Sequence, residues 1–528
     1  MHRTACLLVA WFLVGLTAAQ AGEPPSPRWI VVTAPAFREA VGPLCELRKS
    51  QGLRVEVVQT SEVLTLKEIR DGDARKLADR VTQLCRESKG KCYVLLVGAV
   101  DAPWHQGPEK IVVPPLRGTV GRMKGQPTDH AFSPLDDDFA ATVPVGRLPV
   151  RSAEEAQQLV RKILDFEGDT RPGTWRRRVT ILAGAPEFNP VVDGLVERVA
   201  LSRLDRIDPQ WSGRAIFHNA QSRFCLPDDN LHDRARKYVE EGQALTLYLG
   251  HSNPEGFWAG RAKFLSREDW ATVKMAHGGI FATFGCYGCQ LTGDGGEAYG
   301  VAAIRNPSGP VAVLGSQGIC FAAMVHLAAD GLFESVLTGT PPERVGDAWL
   351  KLQKALAAGP ISPITFRILD AVDGDANIPL TTQRREHLEM FTLLGDPALR
   401  LPAMPTKVAL TVDGTIAPGA TVTIHGEVPK SLEGAAVHLT LERPLSSQAD
   451  LQPLPEKPGP ERAKVMLANH DRANDYALFA KDTTVEKGQF EVKITLPEAL
   501  PYPRLTLRAY AATKSDEGLG VLTVELKK

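Results

Sequence analysis

The chain has 528 residues, with 61 Lys+Arg against 62 Asp+Glu and a formal net charge of -1. At roughly 100–200 residues per domain this length predicts two to four compact units with enough apolar material for real cores. The balanced charge excludes a global field that would draw in nucleic acid or an anionic membrane, so no nucleic acid partner is expected and recognition belongs to a local site.

The first residues read as a secretory signal peptide spanning residues 1–21. His2 and Arg3 supply positive charge, Leu7 to Ala18 an apolar run, and Ala19-Gln20-Ala21 a small-x-small cleavage site. The apolar run is shorter than the roughly 20 residues that span a bilayer, and no later stretch is long and apolar enough to do so, so no integral membrane segment is expected in the mature chain. The expected location is secreted, periplasmic or cell-surface. Removal of Cys6 with the signal leaves Cys45, Cys85, Cys92, Cys225, Cys286, Cys289 and Cys320. In an oxidising compartment that odd number leaves at least one thiol outside an internal disulfide.

From Trp29 to Ala34 the run WIVVTA reads as a buried strand, followed by helical material from Phe37 to Ser50 and a strand around Leu53 to Val58. A helix around Ala74 to Glu87 and an apolar strand from Tyr93 to Val97 repeat the pattern, and such alternation predicts a largely parallel sheet. After a Pro- and Gly-bearing stretch and the acidic run Asp136-Asp137-Asp138, a helix from Ala153 to Phe166 is opened by Ser152 as N-cap with Glu155 three residues on. Residues 22–170 are read as one α/β unit. A second, residues 171–403, holds buried strands at Val179 to Ala183, Ala244 to Leu249, Gly279 to Phe284 and Pro310 to Leu314. From residue 404 to 528 short alternating runs, such as Phe490 to Ile494 and Leu505 to Ala511, predict a β-sandwich, with Gln452 to Pro460 as a long loop.

Two strands of the second unit run into reactive residues: Leu245 to Leu249 into Gly250-His251-Ser252, and Gly279 to Phe284 into Gly285-Cys286-Tyr287-Gly288-Cys289. Ligands of parallel sheets bind beyond the carboxyl ends of strands, so if these strands are neighbours His251 and Cys286 share one rim. An imidazole there can lower the thiol pKa and later protonate a leaving amine, and the adjacent glycines allow a substrate backbone to come close. Taken singly, a His after a strand is more often a hydrogen-bonded loop residue and a Cys there a small buried hydrophobe.

Together the two segments resemble the caspase-like cysteine peptidases, and within them the gingipain family. The resemblance extends to Leu95-Leu96-Val97-Gly98-Ala99-Val100-Asp101, Val145-Gly146-Arg147-Leu148-Pro149-Val150, Trp258 after the histidine, and Leu394-Gly395-Asp396-Pro397-Ala398-Leu399. It implies an α/β fold with a caspase-like parallel-sheet catalytic region in two subdomains, followed by an immunoglobulin-like β-sandwich. It also implies a cysteine endopeptidase acting on polypeptides, with Cys286 as nucleophile, His251 as acid and base, and the backbone N–H groups of Cys286 and Ser252 as the oxyanion site. Trp258 and Gln317 are candidate substrate contacts. No cofactor is required for the chemistry, but Asp129 and the triple aspartate, with Asp136 and Asp138, are candidate ligands for a structural calcium.

The pattern also departs from the family. Arg151 stands where gingipains carry an acid that assists the histidine, and a cation cannot orient an imidazolium. Glu255 or Asp129 is the candidate third member, or the pair acts alone. Where Arg-specific relatives bind a basic side chain with an aspartate, an ungapped count reaches Arg161, which speaks against a preference for basic residues. The signal peptide leads almost directly into the first strand, so latency by a long N-terminal prosegment is not expected. Three other readings compete. Gly250-His251-Ser252-Asn253-Pro254 resembles a serine-hydrolase elbow with Ser252 as nucleophile, although Pro254, Gly256 and Gly260 discourage the helix it needs. Cys286-Tyr287-Gly288-Cys289 has the spacing of a redox pair. A non-catalytic binding or adhesion protein could keep the same fold.

Overall fold

The computed structural model describes residues 26–102, 106–184, 197, 201, 203–260, 262–292, 297–373, 378–447 and 450–526. The signal-peptide reading falls on residues 1–21, outside the described residues.

One ten-stranded sheet runs through both expected α/β units. Its strands, in chain order, are β1 (Arg28–Thr33), β2 (Arg54–Gln59), β3 (Cys92–Val97), β4 (Val145–Leu148), β5 (Arg178–Gly184), β6 (Ser212–His218), β7 (Leu245–Leu249), β8 (Ile280–Phe284), β9 (Ala312–Ser316) and β10 (Phe391–Leu394). The spatial order is β2-β1-β3-β4-β10-β9-β8-β7-β5-β6. All pairings are parallel except β9 with β10, which is antiparallel. Five strands therefore run one way and five the other, and the carboxyl rim of β7, β8 and β9 lies beside the start of β10. β1, β3, β8 and β9 are buried along their whole length, which is why they read in the sequence as continuous apolar runs rather than alternating ones.

The turn after β10 ties the two halves together. Asp396, fully buried, accepts from Trp29 Nε1 at 3.0 Å on β1 and from Arg48 Nε at 2.9 Å and Nη2 at 2.7 Å, while its own turn adds Ala398 N at 2.9 Å. Arg48 belongs to α1 (Gly42–Ser50), and its remaining nitrogen meets Glu167 at 2.8 Å. Burying these charges costs several kcal/mol per ion, and only such complete pairing offsets it.

Beyond residue 404 the chain forms a five-stranded and a three-stranded sheet over a shared apolar core. The alternation is clean: in Gln489–Thr495 the residues Phe490, Val492 and Ile494 are buried and their neighbours exposed. The segment after Gln452 departs from expectation. It runs into a helix, α2 (Pro460–Asn474), that leaves the two sheets and docks on the edge strand β6. Ala215 N donates to Asn474 Oδ1 at 2.7 Å and Asn474 Nδ2 to Ala215 O at 3.0 Å, so one carboxamide satisfies the open edge of β6 as another strand would. His470, buried, adds Tyr238 Oη at 3.0 Å and Phe224 O at 2.9 Å. Among the described residues no helix is long and apolar enough to cross a membrane.

Asp396→Ala leaves Arg48 and Trp29 buried without their acceptor. The expected loss is about 3–5 kcal/mol, read as a lowered urea midpoint for the mature protein; an unchanged midpoint would show that the turn does not hold the halves together.

Candidate active site

β7 and β8 are adjacent and parallel, with Leu249 opposite Phe284 as the last pair in register. Neighbouring strands lie about 4.8 Å apart, and His251 and Cys286 each stand two residues past that pair. The two residues thus emerge side by side on one rim. The glycines before them serve a different purpose from the one expected. A Cβ on Gly285 would stand 2.1 Å from Ser252 Oγ and 2.9 Å from Gly250 O, and one on Gly250, whose φ is +147, would stand 2.8 Å from Tyr248 Oη. They let the two strand ends approach each other.

A layer of hydroxyls fixes this backbone. Tyr248 Oη donates to His251 O at 2.5 Å, and Ser252 Oγ donates to Cys286 O at 2.7 Å. Tyr299, at the start of α3 (Tyr299–Arg305), donates to Ser252 Oγ at 3.3 Å and pairs with Thr283 Oγ1 at 2.5 Å. Because Ser252 spends its proton on a carbonyl and is followed by the hairpin Ser252–Ala259 rather than a helix, the serine-hydrolase elbow is overturned.

The redox-pair reading of Cys286 and Cys289 is overturned as well. Tyr287 adopts φ +60, and the chain then turns so that Cys289 N donates to Ser316 O at 2.8 Å. Cys289 is fully buried in the apolar core containing Tyr248, Phe281 and Val313, whereas Cys286 packs against the core containing Phe284, Leu314 and Phe321.

The neighbour of the Cys286 sulfur is Cys320, which the sequence reading missed. Cys320 N donates to Cys286 Sγ at 3.4 Å, and the Cys320 sulfur lies 3.7 Å from Gly285 O, beside Cys286. Donation from the Cys320 thiol, then from its backbone N–H, and the field of His251 outweigh the cost of burial and bring the Cys286 thiol down from the ordinary range to about 6; Asp373 opposes this. The same contact pushes the Cys320 thiol up. The anion is therefore held on Cys286, the more exposed of the two.

The Cys320 segment is held from behind by α4 (Leu380–Met390). Phe321 N donates to His387 Nε2 at 3.0 Å, and His387 Nδ1, in turn, meets Gln383 O at 2.8 Å, an arrangement that requires a neutral ring. Burial pushes His387 down to about 3, in agreement. Arg122, paired with Glu386 at 2.5 Å, lies over the Phe321 ring at 3.8 Å. Asp373 caps the next helix by accepting from Ala322 N at 2.8 Å.

The remaining expected site residues are scattered. Asp129 is held by Arg147 on β4 through Nε–Oδ2 at 2.6 Å and Nη2–Oδ1 at 2.7 Å. Four strand spacings, about 19 Å, separate β4 from β7 in the sheet order, so Asp129 is not the partner of His251. Glu255 is exposed at the tip of the hairpin that follows His251. Trp258 lies half-buried in the same hairpin. Gln317 follows β9 on the same rim; it is 8% exposed, and its Nε2 has no hydrogen-bond partner among the described residues. Arg151 pairs with Glu297 at 3.3 Å, and Arg161 is exposed on the helix Ala153–Gly168. Asp136 spends Oδ1 on the N–H groups of Asp138 (3.0 Å) and Ala140 (2.8 Å), which makes the triple aspartate a turn. No group of three or more His, Cys, Asp or Glu among the described residues has a metal-binding arrangement, so the calcium expectation finds no fitting donor set there.

The comparisons agree with this architecture. The family model of peptidase family C25 matches residues 23–402, so the chain belongs to that family of cysteine-type peptidases. Among solved structures it is similar to the Arg-specific cysteine proteinase gingipain R, at 15% identity and a TM-score of 0.53, covering 95% of this chain and 98% of that one. The complex of the pro- and mature domains of Porphyromonas gingivalis RgpB gives 15% identity and a TM-score of 0.51, covering 95% of this chain and 100% of that one. At this identity the likeness shows the fold, a parallel-rich caspase-like sheet. A partial match to eisosome protein 1 of Kluyveromyces lactis, 31% identical over 135 residues, covers 22% of this chain and spans only 15% of that protein.

The thiol analysis sets a pH expectation. Alkylation of Cys286 by iodoacetamide should follow a titration with midpoint near the weakly acidic value given above, not the roughly 8.5 of a free thiol, and the rate should fall as the pH drops below that midpoint. His251→Ala should move the midpoint upward. A midpoint at the free-thiol value in the wild type would refute the thiolate.

Proposed function

We propose that this protein is an exported cysteine endopeptidase in which the Cys286 thiolate attacks the scissile carbonyl and His251 transfers the protons. The observation that carries the reading is the in-register pairing of β7 and β8, which brings the imidazole and a depressed thiol onto one rim. Attack forms the C–S bond, and the carbonyl oxygen takes the negative charge within reach of the backbone N–H groups of Cys286 and Ser252. His251 then protonates the departing amine, leaving an acyl-enzyme. Water, deprotonated by His251, attacks that ester-like carbonyl, and the thiolate leaves to restore the site.

Polypeptides are the substrate class. Gln317, a buried donor without a hydrogen-bond partner among the described residues, and Trp258, in the hairpin next to His251, are the residues assigned to substrate contact. Glu255 is the remaining candidate to support the imidazole from the expected set, and without it the site acts as a dyad. Export rests on the charged, apolar and small-x-small segments of residues 1–21. The division into residues 22–170, 171–403 and 404–528, with an immunoglobulin-like accessory sandwich last, belongs to the same proposal.

The test is peptide hydrolysis and labelling of the purified mature protein with peptidyl acyloxymethyl ketones differing at P1. Cys286→Ala should abolish both, a loss of roughly a thousandfold or more in turnover. Ser252→Ala, which removes the hydrogen bond to Cys286 O, should cost only about tenfold and leave the label on Cys286. Turnover that survives Cys286→Ala would sink the mechanism. Wild-type protein that neither cleaves nor labels would instead be a binding protein on the peptidase fold.

A further inference from the structure

Two thiols meet at the rim, and the proposed hydrolysis uses only one of them. Cys286 is partly exposed, whereas Cys320 is 8% exposed and lies behind it, with its backbone N–H 3.4 Å from Cys286 Sγ and its own sulfur 3.7 Å from Gly285 O. Both side chains pack against the same core, on the opposite side from Cys289. The two residues follow neighbouring strands, since β8 and β9 are paired and Tyr287 N donates to Gly318 O at 2.9 Å, so the backbones are already at the spacing of a strand pair. Strand-pair spacing falls in the range that a disulfide can bridge.

We propose that Cys286 and Cys320 form a reversible oxidative-modification site, in which a peroxide oxidises Cys286 and Cys320 resolves it to an internal disulfide. The inference rests on the reading of Cys286 as the reactive thiolate. A thiolate that an oxidant can reach is the species that reacts, and a resolving thiol beside it is what separates a reversible sensor from a damaged nucleophile. The depressed Cys286 thiol and the raised Cys320 thiol fit these two roles, attacker first and resolver second.

The steps balance. The Cys286 sulfur forms an S–O bond to one peroxide oxygen as the O–O bond breaks and hydroxide leaves, giving the sulfenic acid. The Cys320 sulfur, giving up its proton, attacks the sulfenic sulfur; the S–S bond forms, the S–O bond breaks, and the hydroxyl departs as water. Two thiols and one peroxide yield one disulfide and two waters. A disulfide here removes the nucleophile, and a dithiol such as dithiothreitol restores it by exchange.

The experiment treats the mature protein with hydrogen peroxide, alkylates the free thiols and maps the peptides by mass spectrometry, with and without later reduction. The expected result is a Cys286–Cys320 linked peptide, loss of Cys286 alkylation, and full recovery of alkylation on reduction. In Cys320→Ser, checked for folding by circular dichroism, the link is lost and Cys286 proceeds to the sulfinic acid, which reduction does not reverse. Wild-type protein that goes directly to sulfinic acid, or that links Cys286 to another cysteine, overturns the inference. Mapping needs no turnover, so the outcomes separate: a link without peptide hydrolysis refutes the peptidase reading alone, and hydrolysis without a link refutes this inference alone.

Discussion

The in-register parallel pairing of β7 with β8 is the constraint from which the site follows. The register ends at Leu249 and Phe284, and both chains then continue through glycine to the reactive residue. A parallel pair cannot be formed by a local turn, so the intervening hairpin and short helix must return the chain to the same end of the sheet. The contacts around Gly250 and Gly285 leave no room for a Cβ, and the hydroxyls of Tyr248 and Ser252 occupy the carbonyls that a strand would otherwise satisfy. The proposed catalytic geometry is thus a property of two strand ends, held by hydrogen bonds to backbone that act whatever the substrate.

The first α/β unit supports this rim without supplying a residue to the proposed chemistry. Its strands meet the second half at β10, and Asp396 just beyond β10 gathers Trp29 and Arg48 from β1 and α1. Its loop at Thr119 to Arg122 is tied to α4, where Glu389 accepts Thr119 N at 2.8 Å and Glu386 holds Arg122. α4 in turn fixes Phe321, the residue after Cys320. The chain of contacts runs from the first unit through a helix to the residue that sets the ionisation of Cys286, which gives a physical reason for the two halves to share a single sheet.

The sequence made the central strands legible because burial on both faces writes continuous apolar runs, as in Tyr93 to Val97 and Gly279 to Phe284. It also placed His251 and Cys286, since strand ends of a parallel sheet share a rim. It did not yield β6, whose Ser212–His218 is partly polar, or α2, whose apolar face is weak and whose docking depends on Asn474 and His470 meeting a strand edge far away in sequence. Local spacing misled twice. Cys289 lies three residues from Cys286 but across the sheet from it, while Cys320 lies 34 residues away and in contact. Asp129 reads as a free acid, yet its carboxylate belongs to Arg147, as the bidentate geometry shows. A signal for Cys320 existed in its position just past the strand that neighbours β8, three residues beyond Gln317.

An acid beside the imidazole matters most where the imidazolium must hold the thiolate as an ion pair. Here the largest influence lowering the Cys286 thiol is hydrogen bonding from Cys320, with the field of His251 a smaller one. In the proposed chemistry His251 enters the cycle carrying the proton that it gives to the departing amine, and it regains one from the attacking water. With Arg151 standing where the resemblance expects an acid, the anion on sulfur has a second source of stabilisation besides the ring: groups of the neighbouring strand end at Cys320.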